Sequence, residues 1–249
     1  MVHFVGAGTG APDLITVRGM RLLEKADIII YAGSLVNPEL LEYAKLDCKV
    51  YNSALMTLDE VIAVMENERD ADIVRLHTGE PSIYGAVREQ MDRLDELGIE
   101  YDSTPGVSAC FGAAASLNME YTLPGISQTL IITRLEGKTP VPTGESIESL
   151  ASHQASMAIY LSAGMLEALA EKLIAGGYNE DTPVALVYKA TWPEEKKLVC
   201  TLKTLAAEAN KAGIAKTAVV LVGAAVAQSG YEKSRLYAAD FETEFRRIK

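Results

Sequence analysis

Two periodicities alternate along the first half of the chain, and together they predict a parallel β-sheet with helices between its strands. Helical spacing of apolar residues predicts one helix over residues 57–68 and another over 85–98, with Gly98 just past its end. Because a strand–helix–strand repeat builds a parallel sheet, a ligand site is expected at the carboxyl ends of its strands. The predicted strands are HFVGAG (3–8), ADIIIYA (26–32), CKVYN (48–52), ADIVRLHTG (71–79) and IEYDSTP (99–105).

A second alternation follows residues 115–127, where Pro124 and Gly125 suit a connection between domains. Helical spacing over residues 164–177 gives one apolar face, formed by Leu166, Leu169, Ala170, Leu173 and Ile174. The runs PVALVYK and KKLVCTL leave no room for a helix between them, so antiparallel pairing and a mixed sheet are expected. The predicted strands are QTLIITR (128–134), SMAIYLS (156–162), TPVALVYKA (182–190), KLVCTL (197–202) and TAVVLVG (217–223). We therefore expect an α/β fold with two α/β domains, residues 1–115 and 116–249.

Composition and charge narrow the class of protein. The chain has 249 residues, 49% of them hydrophobic, and a net charge of −11, which disfavours binding to nucleic acid or to an anionic membrane. The three cysteines form no C-x-x-C pair, so neither a disulfide framework nor a zinc site is expected. The longest apolar run, residues 218–227, is about half of the ~20 residues that span a bilayer. With no basic leader ahead of the first strand, we expect a cytoplasmic protein.

The first glycine-rich turn, VGAGTGAPDLIT (5–16), partly matches a dinucleotide-binding fingerprint. An NAD-binding unit should supply an Asp or Glu at the end of the second strand, but Tyr31, Ala32 and Gly33 stand there. Pro12 also displaces the start of the helix. The turn is therefore either a simple β–α connection or a loop that approaches another kind of ligand, and an NAD(P)-dependent oxidoreductase is disfavoured.

Two further glycine loops follow the fourth and fifth strands. In HTGEPSIYG (77–85), Gly79 permits close approach of a ligand, Pro81 stiffens the loop and Gly85 is expected to start the next helix. In TPGVSACFGAAA (104–115), small residues let a helix N-terminus approach a neighbour closely. Each loop alone is consistent with tight packing, but three of them at the strand ends of one sheet favour a ligand site.

These three loops, followed by IYLSAG and YKATWP, resemble the tetrapyrrole methylases, which use S-adenosylmethionine to methylate ring carbons. The segments TRLEGKTPVP (133–142) and VYKATWPEE (187–195) are most similar to members that methylate C11 of precorrin-4 or cobalt-precorrin-4 in cobalamin biosynthesis. The chain departs from the usual family pattern in having Thr9 for a proline, and Ala11 and Glu80 for aspartates. A family member acting at C20 or C17, or a noncatalytic tetrapyrrole- or adenosyl-binding protein, remains an alternative.

The resemblance implies that S-adenosylmethionine binds in a cleft between the two domains, largely through backbone groups, and that the enzyme is a homodimer. It implies no metal ligands in the protein and identifies no catalytic base. The implied cofactor-binding residues are Thr9, Thr78, Gly79, Glu80, Ile83, Ser108, Ala109, Leu161 and Ala190.

A tetrapyrrole substrate with many carboxylates requires local cations in an acidic protein. The candidates are Arg134, Lys138, Lys189 and Arg88, each with an ordinary solvated charge as the alternative. His77 is interpreted as a structural histidine at a strand end. Trp192 and Tyr84 suit either the lining of the macrocycle site or local packing.

Overall fold

The computed structural model describes residues 1–238 and 240–247. The chain divides into two compact units. The first comprises Met1–Ser116 together with Lys189–Lys196, and the second comprises Leu117–Tyr188 and Lys197–Lys249. This division differs from the predicted boundary at residues 115/116 mainly because a short segment from late in the chain folds with the first unit.

The first unit contains a five-stranded sheet in the order β3-β2-β4-β1-β5, with every pair parallel. Its mainly parallel character was predicted, and the prediction is confirmed. The loops that follow β4, β1 and β5 leave the same edge of the sheet side by side, because these three strands are neighbours. The strands are β1 (Val2–Gly6), β2 (Ile28–Tyr31), β3 (Lys49–Asn52), β4 (Ile73–His77) and β5 (Tyr101–Thr104).

Both faces of this sheet are buried. Phe4, Ile28 and Ile30 pack into one apolar cluster, whereas Val5 and Ile29 pack into another. Successive side chains of a strand point to opposite faces, so the uninterrupted apolar run in β2 serves both clusters. This two-sided burial makes the sheet a rigid base for the loops at its carboxyl edge.

The helices of the first unit begin and end with recognisable signals. Thr57 caps α2 in a capping box with Glu60, and Gly98 ends α3 in the left-handed conformation, as predicted. The prediction that Gly85 starts α3 is wrong, because α3 begins at Arg88. Tyr84 and Ala86, on either side of Gly85, have positive φ angles of 57° and 49°, which a right-handed helix does not allow. The helices are α1 (Val17–Lys25), α2 (Leu58–Asn67), α3 (Arg88–Leu97) and α4 (Ala109–Leu117).

The second unit contains a mixed five-stranded sheet in the order β6-β7-β10-β8-β9. The predicted mixed character is confirmed, since β6 and β7 are parallel whereas β10 is antiparallel to both β7 and β8. The strands are β6 (Leu130–Arg134), β7 (Ser156–Tyr160), β8 (Pro183–Tyr188), β9 (Lys196–Thr201) and β10 (Ala218–Val222).

The described part of the second unit contains three α-helices, namely α5 (Ile147–Ala151), α6 (Leu166–Ala175) and α7 (Leu205–Ala212). The predicted apolar face of α6 is buried at Leu166, Leu169, Ala170 and Leu173. Ile174 was expected on the same face but is 39% exposed, because it lies at the margin of the buried stripe. Within residues 1–238 and 240–247, no helix has the length and apolar character needed to cross a membrane.

Candidate functional site

The three glycine loops of the first unit meet backbone to backbone. A Cβ atom on Gly6 would lie 2.5 Å from the Gly106 nitrogen and 2.6 Å from the Gly79 oxygen. A Cβ atom on Gly106 would lie 2.1 Å from that same oxygen. Since real Cβ atoms do not approach backbone so closely, any side chain at Gly6 or Gly106 would separate the loops.

Backbone hydrogen bonds join the first loop to the second. The Gly79 amide donates to the Gly8 oxygen at 2.9 Å, and the Gly8 amide donates to the Gly79 oxygen at 3.3 Å. Both residues have positive φ angles, +77° at Gly8 and +59° at Gly79. Around Gly79 the nearest atoms to an added Cβ lie 3.7 Å away, so this position requires glycine for its backbone conformation rather than for lack of room.

Glu80 joins the second loop to the third. Its Oε2 accepts the Gly106 amide at 2.8 Å and its Oε1 accepts the Ser82 amide at 2.9 Å. Partial burial opposes ionisation, but these two amides outweigh it and hold the pKa of Glu80 below its usual value. The side chain predicted to contact the cofactor is therefore engaged in shaping the loops, and its contribution to a ligand site would come through their conformation.

Thr9 lies between α4 and the segment 189–196. An added Cβ on Gly112 of α4 would be 2.5 Å from the Thr9 methyl group, so the small residue lets the helix pack directly on the first loop. The Thr9 hydroxyl is 2.7 Å from that of Thr191, and the Thr9 oxygen accepts Trp192 Nε1 at 3.1 Å. Both polar groups of Thr9 other than its amide thus have partners within the first unit.

The segment 189–196 covers the first glycine loop. The Trp192 indole packs on Gly10 so closely that an added Cβ would lie 2.1 Å from its Cδ1. Buried Asn37 fixes the same turn by donating from Nδ2 to the Gly10 oxygen at 2.9 Å. Trp192 is therefore a packing residue of the loop, one of the two roles left open by the sequence.

Residues 78–109 contain six of the predicted cofactor positions, five of them besides Glu80. Thr78 is exposed, Gly79 and Ser108 are buried, and Ile83 and Ala109 are half-buried. The Ser108 oxygen accepts the amides of Phe111 and Gly112, so Ser108 and Ala109 form the first turn of α4. The loop contacts described above bring these positions to one edge of the sheet.

The two remaining predicted cofactor positions lie later in the chain. Ala190 belongs to the first unit and is buried between Lys189 and Thr191. Leu161 belongs to the second unit, where it follows β7 with a positive φ of 55° and is 68% exposed. Exposure of a leucine in a strained turn is uncommon and is consistent with a surface that receives a ligand.

The four predicted cations have different surroundings. Arg88 lies on the exposed face of α3 with Asp92 at 2.7 Å and Asp95 at 2.9 Å, so its charge is matched within the helix. The Lys189 Nζ atom is 4.8 Å from the centre of the Trp192 ring and 3.5 Å from Glu194.

In the second unit, Arg134 stabilises its own loop by donating hydrogen bonds to the Thr139 and Pro140 oxygens. Lys138 lies exposed in the same loop.

His77 and Arg75 form a buried polar pair at the end of β4. Arg75 donates to Gln90 and to the Ile30 oxygen, and His77 stacks on Phe4 with ring centroids 6.0 Å apart. Burial, reinforced by the charge of Arg75, lowers the pKa of His77 to about 3. A neutral imidazole buried in this way agrees with the structural role inferred for His77 from the sequence. The expectation that a structural histidine here has its hydrogen bonds satisfied is wrong for Nε2, which has no partner among the described residues.

Four residues that hold the first glycine loop and the segment 189–196 were not singled out from the sequence. Asn37 and Thr191 form hydrogen bonds with the first glycine loop, and Glu195 accepts the Ser116 hydroxyl and the Thr191 amide. Thr191 and Glu195 lie in the segment 187–195 that supports the family resemblance, but their contacts with Thr9, Ala11 and Ser116 join distant parts of the chain that local spacing does not predict. In the described part of the chain, no group of three or more His, Cys, Asp or Glu side chains is arranged to hold a metal ion.

Comparisons with known proteins agree with this arrangement. Residues 1–206 match the family model of the Tetrapyrrole (Corrin/Porphyrin) Methylases. A cobalt-precorrin-4 C(11)-methyltransferase from Methanocaldococcus jannaschii is 51% identical, over 99% of this chain and 96% of its own length. A precorrin-4 C(11)-methyltransferase from Pseudomonas aeruginosa is 41% identical over 98% of each chain.

Among solved structures, the X-ray structure of a cobalt precorrin-4 methyltransferase matches with a TM-score of 0.88 and 42% identity, covering 90% of this chain and 95% of that one. The uroporphyrin-III C-methyl transferase of Thermus thermophilus shares the fold, with a TM-score of 0.77 at 22% identity. The glycine loops, the two sheets and these matches together establish that the chain belongs to the tetrapyrrole methylase family.

Proposed function

We propose that this protein transfers a methyl group from S-adenosylmethionine to C11 of precorrin-4 or cobalt-precorrin-4 in cobalamin biosynthesis. The observation that carries the proposal is the 51% identity, over 99% of the chain, with a relative named cobalt-precorrin-4 C(11)-methyltransferase. A second relative, 41% identical, is named for precorrin-4 and the same ring position. One relative is named for a substrate that contains cobalt and the other for a substrate without it, so activity should be tested with both tetrapyrroles.

The residues at the edge of the first sheet fit such a cofactor. Backbone groups of tightly packed glycine loops suit its polar ribose and amino-acid parts, and half-buried Ile83 offers an apolar surface. Thr78, Gly79, Ser108, Ala109 and Ala190 would hold it through backbone groups and the Thr78 hydroxyl. The family resemblance also implies an apolar contact by Leu161. Thr9 and Glu80 would act by fixing the loops. When bound, S-adenosylmethionine supplies a methyl group on a positively charged sulfur.

In the proposed reaction, the main role of the protein is to position the cofactor and the tetrapyrrole. The thioether that departs is neutral, so no side chain has to protonate it and no oxyanion has to be stabilised. Positioning of two reactants contributes up to ~7–11 kcal/mol of barrier lowering in favourable cases. A rigid sheet with interlocked loops is suited to this task. The positive charge of the sulfonium passes to the methylated macrocycle, which then releases a proton, and no residue is assigned as the base that takes it.

Substrate binding requires cations opposite the tetrapyrrole carboxylates. Exposed Lys138 and the partly buried Lys189 are the strongest candidates. Arg134 would contribute mainly by shaping the loop that carries Lys138, since its guanidinium already donates to loop carbonyls. Arg88 is the weakest candidate because two aspartates match its charge.

We further propose that the enzyme works as a homodimer in the cytoplasm, as the family resemblance implies. Light scattering of the purified protein tests the dimer, which would have twice the 26.8 kDa mass of the chain. A monomer at micromolar concentration would contradict this part of the proposal.

The decisive experiment supplies methyl-¹³C-labelled S-adenosylmethionine with precorrin-4, cobalt-precorrin-4 or uroporphyrinogen III, and locates the label in the product by NMR. Label at C11 supports the proposal, and the faster of the first two substrates assigns the working one. Label at another carbon would move the activity to another ring position within the family. Absence of transfer to all three intact substrates, with tight binding of S-adenosylhomocysteine, would instead indicate a noncatalytic binding protein.

A further inference from the structure

A strained turn lies over the first glycine loop. Lys189 and Thr191 have positive φ angles of 46° and 67°, and they flank the buried Ala190. A β-branched residue such as threonine is a conformational outlier in the left-handed region, and it persists only where its surroundings hold it. The structure must therefore contain contacts that stabilise Thr191 in this conformation.

Glu195 provides one such contact. Its Oε2 accepts the Thr191 amide at 2.6 Å and the Ser116 hydroxyl at 2.5 Å. The turn is closed by the Trp192 amide, which donates to the Lys189 oxygen at 3.0 Å, and by the Glu195 amide, which donates to the Trp192 oxygen at 3.1 Å. One carboxylate oxygen thus ties the strained amide to the last turn of α4.

The Thr191 side chain forms hydrogen bonds with the first glycine loop. Its hydroxyl is 2.7 Å from the Thr9 hydroxyl and accepts the Ala11 amide at 3.1 Å. The neighbouring Trp192 donates to the Thr9 oxygen at 3.1 Å. Glu195 and the first glycine loop are therefore linked through one residue, although 184 positions of sequence separate Ala11 from Glu195.

We propose that Glu195 is a positioning residue for the cofactor: it holds Thr191 in its strained conformation and thereby fixes Ala190 and the first glycine loop. The cofactor part of this inference rests on the function proposed above. Glu195 acts here as a hydrogen-bond acceptor. A glutamine oxygen accepts the same two bonds, so Glu195→Gln should retain most of the effect, whereas a residue that moves a proton would lose its role on the same change.

The experiment compares Glu195→Ala and Glu195→Gln with the wild-type protein and with Glu24→Ala, a matched change of an exposed glutamate on α1. Hydrogen exchange is followed in peptides that cover residues 5–16 and 186–197 of the full chain without ligand. Steady-state kinetics then separate the KM for S-adenosylmethionine from the KM for the tetrapyrrole and from kcat. Thr191→Val, which removes the hydroxyl and keeps the side-chain shape, serves as a second variant if Glu195→Ala does not fold.

We expect Glu195→Ala to speed exchange in both peptides and to raise the KM for S-adenosylmethionine by about tenfold, the size of one charge-assisted hydrogen bond. The tetrapyrrole KM and kcat should change by no more than about twofold, as for a residue that does not touch the reacting atoms. Glu195→Gln should stay within about threefold of wild type, because a neutral acceptor retains part of the bond. Thr191→Val should raise the same KM as Glu195→Ala.

Unchanged exchange in Glu195→Ala would overturn the inference whatever the activity. A fall in kcat with an unchanged cofactor KM, or equal losses in Glu195→Gln and Glu195→Ala, would also overturn it in favour of a direct chemical role. If the wild-type protein transfers no methyl group and binds no S-adenosylhomocysteine, the proposed function fails. The exchange data then still decide whether Glu195 holds the turn.

Discussion

The Glu80 carboxylate accepts the Gly106 amide at 2.8 Å, and this bond joins the loop after β4 to the loop after β5. The same carboxylate accepts the Ser82 amide, so it bridges two segments that lie 26 residues apart. The family pattern that this loop resembles has an aspartate at this position, and an aspartate side chain is one methylene group shorter than that of Glu80. In this chain, the longer acid is engaged in loop structure.

Replacement of Glu80 by glutamine should destabilise the protein by about 1–2 kcal/mol at pH 7, because a half-buried carboxylate loses one of its two acceptors. The pKa of Glu80 is lowered in the fold, so its stabilising effect is present above the unfolded pKa and is lost as the pH falls through the folded one. Urea unfolding of both proteins at pH 7 and pH 3.5 should therefore show a smaller difference at acid pH. A difference that is independent of pH would contradict the assignment.

Gly106→Ala and Gly6→Ala should each destabilise the first unit by about 3 kcal/mol, since backbone atoms cannot yield as flexible side chains do. The added methyl group would meet the Gly79 oxygen at 2.1 Å in the first variant and 2.6 Å in the second. Thermal and urea unfolding measure the effect. Gly144→Ala, where no atom lies within 4 Å of the added carbon, is the matched control and should be near neutral.

Gly10→Ala should displace the Trp192 indole, because the new methyl group would lie 2.1 Å from Cδ1. Trp192 is the only tryptophan in the sequence, so fluorescence reports directly on this contact. We expect a red-shifted emission and a loss of about 1 kcal/mol from the broken bond between Trp192 and the Thr9 oxygen. Gly137→Ala is the control, and an unchanged emission maximum in Gly10→Ala would show that the indole does not cover the loop.

His77 should make stability fall as the pH falls. Its pKa is about 3 in the fold, through burial and the charge of Arg75, against 6.5 as the ordinary value. Between these values the unfolded state binds more protons, so stability decreases with falling pH by up to about 1.4 kcal/mol per unit. Relative to His77→Leu, the wild-type protein should lose about 2 kcal/mol more between pH 7 and pH 5. Parallel pH profiles of the two proteins would assign the loss to other groups.

Lys138→Glu should raise the KM for the tetrapyrrole by about tenfold, because an attraction for a carboxylate becomes a repulsion at an exposed site. The KM for S-adenosylmethionine should stay unchanged. Lys211→Glu on the exposed face of α7 makes the same change of charge in the same unit and serves as the control. Equal effects of the two variants would reduce the role of Lys138 to overall charge.

The ten strands and the two-unit α/β organisation could be predicted from the sequence because they depend on local periodicity. The apolar run of β2, the buried stripe of α6 and the end of α3 at Gly98 all follow from side-chain spacing and from backbone propensity within one element. The three glycine loops were visible for the same reason. Their resemblance to a known family then indicated the cofactor and substrate classes.

Tertiary structure decided how those loops fit together. The contact of Gly6 with Gly106, the bridge made by Glu80 and the strained turn at Thr191 depend on partners brought together by strand order. Local backbone preference predicts neither the left-handed conformation of Thr191 nor the start of α3 at Arg88 instead of Gly85. By itself, the sequence determined the elements and the class of site, because those depend on neighbours along the chain. Only the folded sheet determined which side chains hold the site in shape, because their hydrogen bonds join residues up to 183 positions apart.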